Sequence, residues 1–265
     1  MDEQMAKILL TVAAVLISLS SQASFSLSTQ NLWHYTTDYE TRLQNLNTSF
    51  NTNQADIMNF QEAWKSIGGK SLYNEILNKG EFQSHFVRTN NTVIIKEGLA
   101  TISKFPQDDK KFNFKLPHSK VFRRRTMLVT KVKLPSQKEV YIANIHLSPF
   151  EEGRSDRDDQ LLFVLKTLKN DFSHLPIIIT GDFNQEEDKS FFTPLIAAGF
   201  SSSLEGLCTY CGNENPYAKS EYVSKLDYIF YQKSFFDLID ARRIFVNNPI
   251  SDHYGLRVEL KDLRD

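Results

Sequence analysis

Asn31, Glu62, His146, Asp182 with Asn184, Asp227, and Asp252 with His253 are carboxylates, amides and imidazoles that recur where apolar runs stop. The stretch "IIITGDFNQEED", residues 177–188, is one instance: three β-branched isoleucines, fit for a buried strand, lead straight into Asp182 and Asn184. Oxygen donors with few thiolates favour a hard cation, and Mg²⁺ binds through one or two carboxylates while water and substrate phosphate fill its other positions. Glu62, assisted by Asn31 as a neutral oxygen donor, could supply that partial shell. Cleavage of a phosphate ester then needs an oriented water, neutralised phosphate oxygens and help for the leaving oxygen. An Asp hydrogen-bonded to a His holds the ring in one tautomer, and a second, protonated His can neutralise phosphate charge.

Each residue also has an ordinary structural reading. Asn31 can end a strand, Glu62 can match a helix dipole ahead of "AWKSI", "GDFN" can be a polar turn loosened by Gly181, and "SDH" can cap a helix. Those readings would need six strand ends to place metal-type and acid-base residues independently, in an order that makes one chemistry. They are therefore taken as one set. His34, His85, His118 and His174 are read as structural, although His34 stands three residues after Asn31.

The elements that must position the set follow from periodicity. "SFSLSTQNLW" alternates like a strand, "DYETRLQNLNTSF" is spaced like a helix, and "ADIMNFQEAW" is expected to be a strand ending at Gln61 and Glu62. "TVIIKEGLATISKF" reads as two strands around Gly98, and "MLVTKVKLPSQKEVYIANIHL" as a hairpin turning near Pro135 and Ser136. "SDRDDQLLFVLKTLKND" is the clearest helix, with Ser155 as its expected cap and Leu161, Leu162, Val164, Leu165 and Leu168 as its buried stripe. "LPIIIT" follows as a buried strand, "SFFTPLIAAGF" as a helix broken near Pro194, and "KLDYIFY" and "YGLRVEL" as late strands. Strands that come in adjacent pairs and also alternate with helices imply mixed sheets covered by helices.

At 265 residues, with 41% hydrophobic and 24% charged side chains, the chain suits one large globular domain. No repeat of fixed period or heptad run is present. Residues 1–23 are set apart. Lys7 precedes the apolar run Ile8 to Leu19, and Ser21 and Ala23 suit a signal peptidase site, so cleavage would leave a domain of residues 24–265 in a secreted or periplasmic protein. Asp2 and Glu3 weaken the positive start of such a signal, a difficulty that initiation at Met5 removes. An uncleaved anchor helix is the alternative. The run is short for a membrane span, and no later stretch approaches one.

Removing the one Lys and two acids of residues 1–23 from 31 basic and 32 acidic residues leaves 30 of each. A neutral mature chain has no long-range pull on a polyanion, though a local basic patch at Arg123 to Arg125 with Lys115 and Lys120 could meet phosphates. Cys208 and Cys211 in "CTYC" lack the second pair or histidines of a zinc ribbon, which leaves a loop disulfide or two free thiols, and neither suggests catalysis. No oligomer signal is visible, and a monomer is expected.

In order, "TQNLW", "DIMNFQE", "EGLATISKFP", "NIHLS", "TGDFNQ", "KLDYIFY" and "SDHYGL" resemble the endonuclease/exonuclease/phosphatase superfamily, the deoxyribonuclease I-like metal-dependent phosphoesterases. The resemblance runs from about Ser26 to Leu260. It implies an α/β fold, a four-layer sandwich of two mixed β-sheets flanked by helices with the catalytic strand ends at one edge. Carried over by position, it implies Glu62 as the principal Mg²⁺ ligand, with Asn31 and Asp252 in the metal site and Mn²⁺ or Ca²⁺ as alternative ions. Asp182 would orient or deprotonate the attacking water, and Asn184 would hold the phosphate. His253, oriented by Asp227, would contact phosphate and move protons, and His146 would bind phosphate oxygens with Glu97 as its partner.

The superfamily contains nucleases, deadenylases, inositol phosphatases and sphingomyelinases. "CTYCGNENPYAKSEYVSKLDYIFY" resembles the neutral sphingomyelinase-like branch, so a lipid headgroup is the favoured substrate. Exposure of Tyr210, Tyr217 and Phe150 near the mouth would suit peripheral membrane contact, and the alternative is that these rings pack the loops against the sheets. A secreted deoxyribonuclease acting on nucleic acid is the alternative, and an inactive binding module or toxin subunit of the same fold is the non-enzymatic one.

Overall fold

The computed structural model describes residues 24–66, 70–89, 95–118, 124–203 and 206–264. The expected signal segment, Lys120 and Arg123 lie outside them. Two six-stranded mixed sheets form the frame. The first runs β13 (Phe236–Ile244), β14 (Gly255–Asp262), β1 (Ser24–Asn31), β2 (Ile57–Ser66), β4 (Ile95–Ser103), β3 (Gln83–Arg88). The second runs β5 (Gln107–Lys115), β6 (Thr126–Lys133), β7 (Glu139–His146), β8 (Ile177–Asp182), β12 (Asp227–Gln232), β9 (Phe200–Ser202). A two-stranded ribbon pairs β10 (Tyr210–Cys211) with β11 (Val223–Ser224).

The isoleucines of β8 show why the layers hold. Ile178 points between the sheets among Phe25, Leu27, Ile142, Ile229 and Val258. Ile177 and Ile179 face the other way, under helices α3 (Arg154–Asp171) and α4 (Lys189–Ala197), with Leu161, Val164, Leu168 and Leu195. Helices α1 (Tyr39–Asn53) and α2 (Leu72–Leu77) cover the first sheet in the same way, through Leu46, Phe50 and Tyr73 against Phe60 and Ala100. Both faces of β8 are thus apolar, as a strand between two covering layers requires. Among the described residues no helix is long and apolar enough to cross a membrane.

Several local expectations are corrected. β2 does not end at Glu62 but continues to Ser66 through a bulge between Phe60 and Ala63. Gly98 does not divide two strands. It lies inside β4, where a Cβ would stand 1.9 Å from the Val87 carbonyl oxygen across the β3 pair, so only glycine fits. Helix α3 starts at Arg154, with Gly153 rather than Ser155 at its N-cap and no side-chain cap. Its stripe is also rotated: Leu162 is 56% exposed and Leu165 half-buried, while Asp156, Arg157 and Gln160 are buried. The polar members are inside because they hold the chain after β7. Arg157 donates to the Ser148 carbonyl at 3.1 Å, and Gln160 accepts from the Ser148 amide at 3.0 Å. Pro194 sits within α4 without ending it.

Candidate active site

The strand register assembles the second sheet's half of the site. β7 and β8 are parallel with His146 opposite Asp182, and β8 and β12 are antiparallel with Asp182 opposite Asp227. His146, Asp182 and Asp227 therefore stand side by side at one sheet edge. Gly181 permits this packing: its φ is +145° and a Cβ would meet the Ile145 carbonyl oxygen at 2.0 Å. In the first sheet β1 and β2 are parallel with Asn31 opposite Gln61, and the bulge then turns Glu62 into the site at φ 50°. Positive φ is uncommon outside glycine, and Trp33, Phe150 and Asn184 share it (φ 48°, 61° and 49°). All four line one cavity of about 1060 Å³, the strained backbone of both sheets' loops converging on the same space.

Asn31, Glu62, His146, Asp182, Asn184, Asp252 and His253 line that cavity, and Asp227 lies fully buried behind His253. Asn31 bridges the two sheets: its Nδ2 donates to Asp182 Oδ2 at 3.0 Å and to Glu62 Oε1 at 3.4 Å, while its Oδ1 accepts from the Trp33 amide. His253 Nδ1 meets Asp227 Oδ2 at 2.8 Å, and its Nε2 lies 4.0 Å from Asp182 Oδ2. The Asn184 amide donates to Asp182 Oδ1 at 2.8 Å, orienting that carboxylate, and its side chain donates to the Leu147 carbonyl.

Two residues join the site with roles that sequence reasoning did not give them. His34, read as structural, places Nδ1 and its backbone amide on Glu62 Oε2 and stacks on Tyr35 at 4.3 Å. Its distance of three residues from Asn31 was the signal that could have found it. Arg125, read as part of a basic surface stretch, is buried with Nη1 3.0 Å from His146 Nδ1. An arginine can only donate, so His146 Nδ1 must accept and the ring proton sits on Nε2, 3.5 Å from Asp182 Oδ2. Glu97, expected beside His146, stands with Glu62 and His34, their ligand atoms within 4.8 Å of one another. His85 and His174 are not among the cavity-lining residues, and their rings lie against the hydroxyls of Thr130 and Tyr141. Of the three aromatic residues read for the mouth, Tyr217 takes the packed alternative, buried with its ring 6.0 Å from that of Trp33.

Electrostatics differentiates the groups. Burial and then the neighbouring Asp227 push Asp182 up to about 7. Burial opposes charge on His253, but Asp227 and Asp182 outweigh it and hold this imidazole well above its ordinary value. Burial and the Arg125 charge push His146 well below it. Burial would raise Glu62, yet the His34 hydrogen bond and nearby histidine charge keep it below the carboxylate range. The edge thus holds a neutral imidazole, a cationic one and a carboxylate that titrates near neutrality.

The profile of the Endonuclease/Exonuclease/phosphatase family matches residues 28–253, spanning every one of these positions. The chain belongs to that family.

Several solved structures share the fold at low identity. The human Nocturnin catalytic domain with bound sulfate superposes with a TM-score of 0.71 at 19% identity, covering 90% of this chain and 94% of that one. D. rerio TDP2 complexed with single strand DNA product gives 0.69 at 18%, covering 90% and 99%. An endonuclease/exonuclease/phosphatase from Beutenbergia cavernae gives 0.68 at 16%, covering 90% and 72%. No curated protein matches the chain in sequence. As a family member the protein is a phosphoric ester hydrolase that depends on a divalent metal.

The residues present fit such an ion. Asp252 is raised by burial, and the Glu62 charge adds to the shift, so two carboxylates repel one another in a place a divalent cation would relieve. Glu97 adds a third oxygen donor and His34 an imidazole. Asp182, Asp227 and His253 form a second group with ligand atoms within 4.8 Å, but there a protonated imidazole already supplies positive charge.

Proposed function

We propose that this hydrolase is a secreted, Mg²⁺-dependent phosphodiesterase that acts at a lipid surface on a sphingomyelinase-like substrate. The observation that carries the substrate reading is the rim. Phe150 is 71% exposed, Tyr35 50% and Tyr222 44%, and all three line the cavity mouth. Aromatic rings settle at the boundary of headgroup and acyl chain. Glu151, Glu186, Glu187 and Asp188 line the same mouth and would repel a long polyanion. The basic stretch expected to favour nucleic acid is divided, because Arg125 is turned inward onto His146.

In the proposed reaction Asp182, raised to about 7, takes the proton of the attacking water, held in place by Asn31 and the Asn184 amide. Cationic His253, oriented by Asp227, balances charge on the phosphate and lies close enough to Asp182 to exchange a proton through one water. Neutral His146 offers its Nε2–H to a phosphate oxygen, and Asn184 lines the same space. Glu62 and Asp252, with Glu97 and His34 beside Glu62, would hold the ion, which supplies electrostatic stabilisation of the charge that develops on the phosphate. Secretion is supported by the Cys208–Cys211 disulfide, since such bonds persist in oxidising compartments.

The test offers the 24–265 protein sphingomyelin vesicles and plasmid DNA side by side in Mg²⁺, with His253→Ala as control. Phosphocholine release without nicking is the expected result. Nicking without lipid turnover would overturn the lipid reading in favour of a nuclease, for which Arg154 at the cavity wall would be a phosphate contact.

A further inference from the structure

The "CTYC" segment lies against the catalytic edge, although nothing in its sequence suggested a part in catalysis. The Cys208–Cys211 disulfide closes a loop around Thr209 and Tyr210. Thr209 is fully buried, and its Oγ1 accepts from the Leu226 amide at 3.0 Å and the Asp227 amide at 3.1 Å. Its backbone joins two further places: the amide donates to the Ser224 carbonyl at 3.0 Å, and the carbonyl accepts from the Tyr254 amide at 2.8 Å. One residue therefore grips the chain at Asp227 and immediately after His253.

The neighbours reinforce the grip. The Tyr210 ring stands edge-on to the His253 imidazole, centroids 5.3 Å apart at 75°. Asn215 Nδ2 donates to the Ser251 carbonyl at 2.9 Å, and Arg243 Nη1 ties the Cys208 carbonyl to Glu214. Asp227 opens β12 and His253 ends a loop between β13 and β14, on different sheets, so their 2.8 Å contact depends on something that holds the two segments together.

We propose that Thr209 is a positioning residue for phosphoester hydrolysis. The disulfide-closed bridge sets the separation of Asp227 and His253, Thr209 by clamping both backbones and Tyr210 by walling the ring. The hydroxyl cannot be replaced by a methyl group of the same size, because two buried amides would lose their acceptor. The inference rests on the family's hydrolytic activity and not on the choice of substrate.

The experiment compares Thr209→Val and Thr209→Ser with the wild type, using the chromogenic diester bis(p-nitrophenyl) phosphate in Mg²⁺ well below each protein's melting temperature. It also follows water exchange of the His253 Nδ1–H by ¹⁵N NMR, a reading independent of turnover. Misplacement of a catalytic group by a fraction of an ångström to 1 Å costs up to about 100-fold, so Thr209→Val should lose about 10- to 100-fold in kcat with KM within about twofold. The same variant should exchange the ring proton faster, and Thr209→Ser should recover both readings. Reducing the disulfide in the wild type should lower kcat in the same direction. Wild-type kcat and ring-proton exchange in Thr209→Val would overturn the proposal, as would a Thr209→Ser protein as impaired as Thr209→Val. An unchanged kcat after reduction would remove the disulfide from it.

Discussion

Gln61 Nε2 donates to Asn144 Oδ1 at 2.7 Å, a buried hydrogen bond that joins the first sheet to the second directly beneath the site. Asn144 spends its two N–H groups on the Phe60 and Ala100 carbonyls, at 3.1 and 2.9 Å. Gln61 precedes Glu62, and Asn144 is two residues before His146, so this link spaces the acid of one sheet from the imidazole of the other. Asn144→Leu leaves several buried polar groups without partners, at about 1–3 kcal/mol each. The expected outcome in urea denaturation is a loss of about 3 kcal/mol or more. Asn144→Asp should be worse at neutral pH, because it turns a carboxylate toward two carbonyl oxygens. Both should reduce kcat more than they raise KM.

Metal dependence should localise to Glu62. An ion held by the folded site alone stabilises it, so saturating Mg²⁺, if it is that ion, should raise the melting temperature of the wild type, and EDTA should reverse it and abolish hydrolysis. Glu62→Gln keeps the shape but removes a ligand charge, and a Mn²⁺ titration by electron paramagnetic resonance should show affinity lower by about tenfold or more. Wild-type affinity in that variant would move the ion to the Asp182, Asp227 and His253 group.

The Asp227–His253 pair has a sign that can be checked without turnover. Burial disfavours the imidazolium, and the charges of Asp227 and Asp182 overcome it, so the folded pKa is raised. Asp227→Asn removes the first of those charges and leaves the burial. In the metal-free protein, His253 followed by NMR should then titrate at lower pH than in the wild type. Arg125→Met should act oppositely on His146, raising its pKa, because the arginine charge is among the forces that depress it.

How far the sequence carried these conclusions depended on the range of the interaction. Asp182 was legible because a buried strand ending in an acid breaks a local rule, and Asn31, His146 and Asp227 likewise stand at strand ends, whereas Glu62 sits at a bulge inside β2. Leu162 was misplaced because helical periodicity cannot foresee that Arg157 and Gln160 turn inward to hold Ser148. The inward turn of Arg125 depends on a contact with His146, 21 residues later on the neighbouring strand. Thr209 drew no reading from the sequence, since its partners Asp227 and Tyr254 are distant in the chain. Local pattern therefore reported the strands and their terminal acids. The second layer, made of hydrogen bonds between segments, became visible only in three dimensions.

The acid limit of stability should depend on a pair far from the chemistry. Asp262, 1% exposed, accepts from Arg264 Nε and Nη2 at 2.8 Å each and from Ser136 Oγ at 2.9 Å, while Arg264 Nη1 reaches the Glu139 carbonyl. Burial raises this carboxyl, but the arginine and serine hydrogen bonds outweigh it, and the folded pKa is depressed. The unfolded chain, with an ordinary Asp value of about 3.9, then binds a proton more readily than the folded one. The pair's contribution is fully present above that value and is lost as pH falls through the folded pKa. Asp262→Asn should cost about 1–3 kcal/mol at pH 7, and the gap from wild type should narrow as pH falls from the unfolded Asp value of about 3.9 through the folded pKa, where Asp262 itself becomes neutral. Urea denaturation at pH 7, 4 and 2 measures this, and a gap that stays constant down to the lowest pH would show that packing rather than charge makes Asp262 matter.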